Sequence, residues 1–124
     1  MSEKKEGKIQ SFTDLRTWQK GHAFVLDIYR VTKQFPRDEI FGLISQLRRA
    51  AVSFTSNIAE GFRRKSPKEK VQFYVIAFGS LTEIQNQLLV AKDVGYLPES
   101  EFKVLATETV ELSKMLSGLM KSVQ

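Results

Sequence analysis

Apolar residues recur along this chain at alternating steps of three and four. The clearest run is Phe102, Leu105, Thr109, Leu112, Leu116, Leu119 and Val123, a heptad seam with one polar member. A second seam runs through Tyr74, Ala77, Leu81, Ile84, Leu88 and Ala91, and a third through Ile40, Ile44, Leu47, Ala51, Phe54 and Ile58. A looser one passes Leu15, Trp18, His22, Val25 and Tyr29. Each predicts an amphipathic helix. Pro36, Pro67 and Pro98 lie near the breaks between seams. Proline lacks an N–H and clashes inside a helix, so these three positions divide the chain into four segments.

Local signals agree with the divisions. Thr13 or Asp14 is placed to cap the first helix, and Ser66 followed by Glu69 reads as a capping box. Gly95 suits the left-handed residue that closes a helix, and Glu99 and Glu101 suit the positive start of the fourth. The expected fold is all-α, a left-handed up-down-up-down four-helix bundle over residues 13–124. Residues 1–12 show no periodicity and are expected to form a flexible basic tail, with Lys4, Lys5 and Lys8.

The segment VQFYVIAF, residues 71–78, is rich enough in β-branched and aromatic residues to suggest a strand. The unbroken three–four stepping through LTEIQNQLLVAK argues for helix instead. Apolar residues then surround this helix on every side, more than one face of a small bundle needs. The expected outlet is another copy of the chain; the competing outlet is contact with the N-terminal tail or a tight intrachain core.

Composition narrows the class. At 124 residues the chain is one domain, and 42% hydrophobic with 27% charged residues is globular rather than disordered. The absence of cysteine excludes a disulfide framework and a thiolate zinc site. The N-terminal MSEKKEGKIQSF lacks the apolar core of a secretory leader, and no apolar run is long enough to span a bilayer. A cytoplasmic protein without membrane contact is expected. The net charge of +5 favours anionic partners, nucleic acid first among them, although a charge of this size also serves solubility alone.

Candidate chemistry centres on SNIAEGFRRKS, residues 56–66. Arg48, Arg49, Arg63, Arg64, Lys65, Lys68 and Lys70 lie along the second helix and the start of the third, the last five clustered at the intervening turn. Arginine forks and lysine ammonium groups both suit phosphate, without base selectivity. The bland reading is a solvated helix end. Beside the apolar seam runs a stripe of polar and small residues. Ser53, Ser56, Asn57 and Glu60, with Phe73, Ile76 and Phe78 on the next helix, are expected to form an oligomer interface.

Catalysis has little to stand on. His22 is the only histidine and lies on another helix, and no metal-ligand spacing or phosphate-cradling glycine loop occurs. No catalytic residue, metal or cofactor is expected. Trp18, Phe54 and Phe62 offer base-stacking surfaces, but aromatics at helical spacing are usually core.

Three stretches resemble a known family: DLRTWQK, then FPRDEIFGLISQLRRAAVSFTSNIAEGFRR, then FYVIAFGSLTEI. They are similar to the four-helix-bundle family also known as the 23S rRNA intervening-sequence proteins. The likeness spans residues 13 to 120, and SNIAEG between QLRRAA and GSL makes it specific. The resemblance implies a bacterial protein whose genes are often found inside insertions in 23S rRNA genes. It implies an up-down bundle assembled into a ring-like homo-oligomer, a pentamer. It also implies a distant relation to the accessory variability protein of diversity-generating retroelements, a basic pentameric bundle that binds a reverse transcriptase and nucleic acid. Members often carry proline shortly before SNIAEG; Thr55 stands there in this chain, which puts a kink at that point in doubt. The leading expectation is a non-enzymatic adaptor binding RNA or DNA phosphates. The rival is a protein-interaction scaffold without nucleic-acid binding. A small-molecule or hydrolytic site around Asn57 and Glu60 comes third.

Overall fold

A computed structural model describes residues 9–124. Four helices account for most of them: α1 (Arg16–Thr32), α2 (Leu43–Arg63), α3 (Pro67–Asp93) and α4 (Glu99–Ser122). No strand occurs among the described residues, so 71–78 is helical throughout. Tyr74 and Ala77 face the core there, while Val75 and Ile76 are about half exposed.

Each helix packs on the next in the chain, and α4 returns against α1. Along every seam, partner numbers fall on one helix as they rise on the other. Arg49 meets Glu83, Ser53 meets Ser80, and Gly61 meets Tyr74. On α1 and α4, Lys20 meets Glu111 and Arg30 meets Glu101. The start of α1, the end of α2, the start of α3 and the end of α4 therefore share one end of the bundle.

The seams expected for α2, α3 and α4 are buried, apart from Ile40, which is exposed in the turn before α2, and Phe102, Leu119 and Val123, which are half-buried. The first seam is displaced. α1 buries Thr17, Gly21, Phe24, Val25, Ile28, Val31 and Thr32, leaving His22 and Tyr29 exposed and Trp18 half-buried. The cause is Gly21. A Cβ there would lie 2.9 Å from the Phe54 ring and 3.0 Å from Thr55 Cγ2, so only glycine lets α1 approach α2 this closely. That approach rotates the Trp18–His22 ridge outward. α2 runs through Thr55 without interruption, its hydroxyl donating to the Val52 carbonyl at 3.1 Å.

The first helix is entered through a short 3-10 turn, Phe12–Asp14. Ser11 caps this turn, and the Asp14 carboxylate accepts from the Ser11 N–H at 3.1 Å. Neither Thr13 nor Asp14 caps α1 itself, whose first residue follows Leu15 without a side-chain cap. Of the tail expected over residues 1–12, the part from Ser11 onward is thus held, with Phe12 packed on the core. Residues 1–8, with Lys4, Lys5 and Lys8, lie outside the described residues.

At the opposite end Gly95 closes α3 at φ +90°, with the N–H of Tyr96 donating to the Ala91 carbonyl and that of Gly95 to Lys92. Glu39 ties this turn to the α1–α2 connection. Its carboxylate accepts from the Leu43 N–H at 2.9 Å and from the Tyr96 hydroxyl at 3.0 Å. Gly42 precedes α2 without a side chain to cap it, so Glu39 does that work from one turn upstream. The same hydrogen bond, followed by burial, raises the Tyr96 hydroxyl above its ordinary pKa of 10.0.

Candidate nucleic-acid interface

The turn between α2 and α3 is built from both sides. α2 ends as Arg64 turns extended, its N–H donating to the Gly61 carbonyl at 3.2 Å. α3 begins at Pro67, where a missing N–H loses nothing, and the Ser66 hydroxyl accepts from the Glu69 N–H at 3.1 Å. Beneath the turn, Gly61 lies flat on the buried Tyr74 ring; a Cβ there would stand 2.5 Å from Tyr74 Cε1. Burial raises the Tyr74 hydroxyl above its ordinary pKa.

The structure brings five of the expected cations together here and separates two. From Arg49 to Arg63 the helix rises about 21 Å, so Arg48 and Arg49 lie well away from the turn. Both also have structural partners. Arg48 donates to the Thr32 hydroxyl at 2.8 Å and to the Tyr29 carbonyl at 3.3 Å, with its guanidinium over the Tyr29 ring. Arg49 pairs with Glu83 and with Gln46.

Within the cluster the cations divide again. Lys70 is half-buried, its ammonium donating to the Phe62 carbonyl at 2.7 Å and to Gly61 at 3.4 Å. It satisfies the Phe62 carbonyl at the negative end of α2 and shares that of Gly61 with the Arg64 N–H. Arg64 pairs with Glu60 at 2.9 Å and lies 4.6 Å from the Phe73 ring centroid. Arg63, Lys65 and Lys68 are exposed and make no ion pair among the described residues. These three form the electrostatically open part of the turn.

Their setting is asymmetric along the bundle axis. Near this end lie Arg16 and Lys121 as well as the five cations of the turn, against Asp14, Glu60 and Glu69. At the far end Arg30 faces Glu101, and Lys33, Arg37, Lys92 and Lys103 are matched by Asp38, Glu39, Asp93 and Glu99. The positive excess of the described chain therefore sits at one pole.

The expected interface residues lie on α2 and α3. Ser53 and Ser80 share a hydroxyl hydrogen bond of 2.9 Å across α2 and α3 of the same chain. Asn57 donates its amide to the Ser53 carbonyl at 2.8 Å. These two thus have partners within one chain. Ser56, Glu60 and Ile76 are exposed, and Phe73 and Phe78 half-buried. Asn57 is thus hydrogen-bonded to Ser53, and Glu60 is paired with Arg64. Phe54 is fully buried, and Phe62 packs beside Lys70.

Two features escaped the sequence reading. The His22 ring stacks on Trp18 with centroids 4.8 Å apart and planes 12° apart, and Phe12 meets Trp18 edge-on at 5.3 Å. The steps Thr17, Gly21, Phe24, Ile28 and Val31 carried the correct phase of α1. Midway along the α1–α4 seam, a cleft of about 60 Å³ is lined by Asp27, Glu108, Glu111 and Lys20 among others. Burial, then the nearby Asp27 carboxylate, raises the Glu108 carboxyl above its ordinary value. No group of acids and histidines suited to a metal ion occurs among the described residues, and no described helix is long and apolar enough to cross a membrane.

The comparisons agree with this architecture. A crystal structure at 1.70 Å resolution of a protein with unknown function from the S23 ribosomal protein family of Bacteroides thetaiotaomicron VPI-5482 superposes with a TM-score of 0.78. The two chains are 20% identical, over 85% of this chain and 95% of that one, a likeness that speaks for the fold. No curated protein is significantly similar. The family model described as 23S rRNA-intervening sequence protein matches residues 13–118, and neither description names an enzymatic activity. The chain belongs to the 23S rRNA-intervening sequence protein family.

Proposed function

We propose that this protein is a non-enzymatic adaptor that binds the phosphates of RNA or DNA at its positive pole. The observation that carries the reading is the turn itself. Arg63, Lys65 and Lys68 stand exposed and unpaired among the described residues, while Lys70 and Arg64 are held by carbonyls, Glu60 and an aromatic ring. Like charges held together without counterions are electrostatically unfavourable, and a polyanion relieves this by exchanging its condensed cations for protein side chains.

The reading includes an up-down-up-down, left-handed bundle assembled as a cytoplasmic homo-oligomer, a pentameric ring by the family resemblance. Falling partner numbers along every seam support the topology, and half-exposed Val75 and Ile76 on α3 support a further packing layer. In a ring, each subunit would repeat the turn, so weak phosphate contacts would act together. Light scattering coupled to size exclusion measures the assembly; a monomer in dilute solution overturns this part.

The binding test is a salt titration with mixed-sequence RNA and DNA. Affinity is expected to fall with log salt by about 0.7–0.9 per phosphate contacted, and the triple reversal R63E/K65E/K68E is expected to abolish binding. Binding that survives both changes, or no binding at low salt, overturns the reading.

A second reading, a protein scaffold, has its own observation. Phe41 is 92% exposed beside exposed Ile40 at the balanced pole, and an aromatic at the centre of a contact is a common anchor. A protein partner such as a reverse transcriptase docking there would be insensitive to the triple reversal and lost on Phe41→Ala.

A further inference from the structure

The Trp18–His22 stack lies on the same half of the molecule as the open cations. Gly21, adjacent to His22, meets Phe54 and Thr55, and from there α2 rises about 13 Å to Arg63.

The stack is supported from below. Trp18 is half-buried, packs against the core and receives the edge of Phe12, itself anchored by the Ser11–Asp14 turn. His22 is exposed and lies nearly parallel on Trp18. The imidazole thus has one face on the indole and no second ring contact among the described residues. Flat aromatic surface held this way, on the same half of the bundle as the open cations, suits stacking on a nucleobase. A duplex buries its base faces between neighbouring pairs, so only unpaired bases can use it.

We propose that the His22–Trp18 stack is a base platform and that the nucleic acid taken at the positive pole is single-stranded. This deepens, and rests on, the phosphate-binding reading above. The cations hold the backbone of the strand, and one base leaves its neighbours to lie on His22.

The chain contains a single tryptophan, so its fluorescence reports on the platform directly. The full-length protein is titrated with a single-stranded RNA 20-mer, the matching single-stranded DNA, and the RNA duplexed with its complement. Single strands are expected to bind more tightly than the duplex and to quench Trp18, with the RNA and DNA arms showing whether the sugar matters. His22→Ala is expected to weaken single-strand binding about 5- to 150-fold, the range of one lost base stack, with the salt slope unchanged. His22→Phe, which keeps a flat ring, is expected to retain most of the affinity.

Equal binding of single strand and duplex, or wild-type affinity in His22→Ala, overturns the inference. If the triple reversal still abolishes binding in that case, the phosphate reading stands and only the platform falls. If no form of nucleic acid binds at low salt, both fall. A far-ultraviolet melting curve of His22→Ala confirms that the exposed substitution leaves the bundle folded.

Discussion

The two poles of this bundle are built on opposite principles. At the balanced pole acids and cations are equal in number and the turns are tied to one another. Glu39 bridges the start of α2 and the Tyr96 hydroxyl, Gly95 closes α3, and Arg30 reaches both Asp27 and Glu101. At the positive pole the interior is just as tight, with Gly61 against Tyr74, but cations exceed acids: Arg63, Lys65 and Lys68 are exposed and unpaired among the described residues. Closure of the chain alone needs only the first design. The second leaves a net positive charge over a tightly packed base, the arrangement that the proposed phosphate binding would use.

The strongest challenge to this contrast is the base beneath the positive pole. Tyr74 is 1% exposed, and Tyr74→Ala is expected to destabilise the bundle by about 3–5 kcal/mol in urea denaturation, as for other large buried aromatics. A loss below about 1 kcal/mol would show that the positive pole is loosely founded as well as open.

The balanced pole should respond less strongly but with a pH signature. Tyr96→Phe removes the hydroxyl that donates to Glu39. The folded hydroxyl titrates above its ordinary pKa of 10.0, so its contribution is fully present below pH 10 and is lost as pH rises through the higher folded value. Denaturation midpoints of wild type and Tyr96→Phe are therefore expected to differ at pH 8 and to converge above pH 10. A difference that persists at high pH would separate the closure of this pole from that hydrogen bond.

The smallest effect has the opposite sign. Neutralising the open cations as R63Q/K65Q/K68Q relieves repulsion and is expected to stabilise the protein by at most about 1 kcal/mol at low salt, fading as salt screens it. The change is read from melting temperatures at two ionic strengths. Destabilisation would mean that these cations have partners at home, and the contrast between the poles would disappear.

Much of the architecture was legible in the residues. Burial in α3 follows the three–four stepping because an amphipathic helix has one low-energy way to face a core. Pro67, Ser66 and Gly95 marked ends because each has a backbone preference that does not depend on distant contacts. The phase of α1 was not legible in the same way. Its large residues Trp18 and Tyr29 suggested one face, but the missing side chain of Gly21 decided another, and that choice depends on Phe54, distant in sequence. The candidate site shows the same limit. The sequence singles out seven cations along the second helix and the start of the third, whereas only folding reveals that Lys70 is tied to α2 carbonyls and that Arg48 and Arg49 stand about 20 Å away on other partners. Glu39 as the substitute cap of α2 was equally hidden, since its role rests on the bareness of Gly42.

The one-sided placement of charge has a consequence before any contact is made. A body with its excess at one tip and balance at the other carries a large electric dipole along its length. Near a polyanion it feels a torque as well as a pull, and it turns tip-first while still a Debye length or more away. Rotational search, usually the slow part of finding a small patch, is then shortened by the molecule's own field.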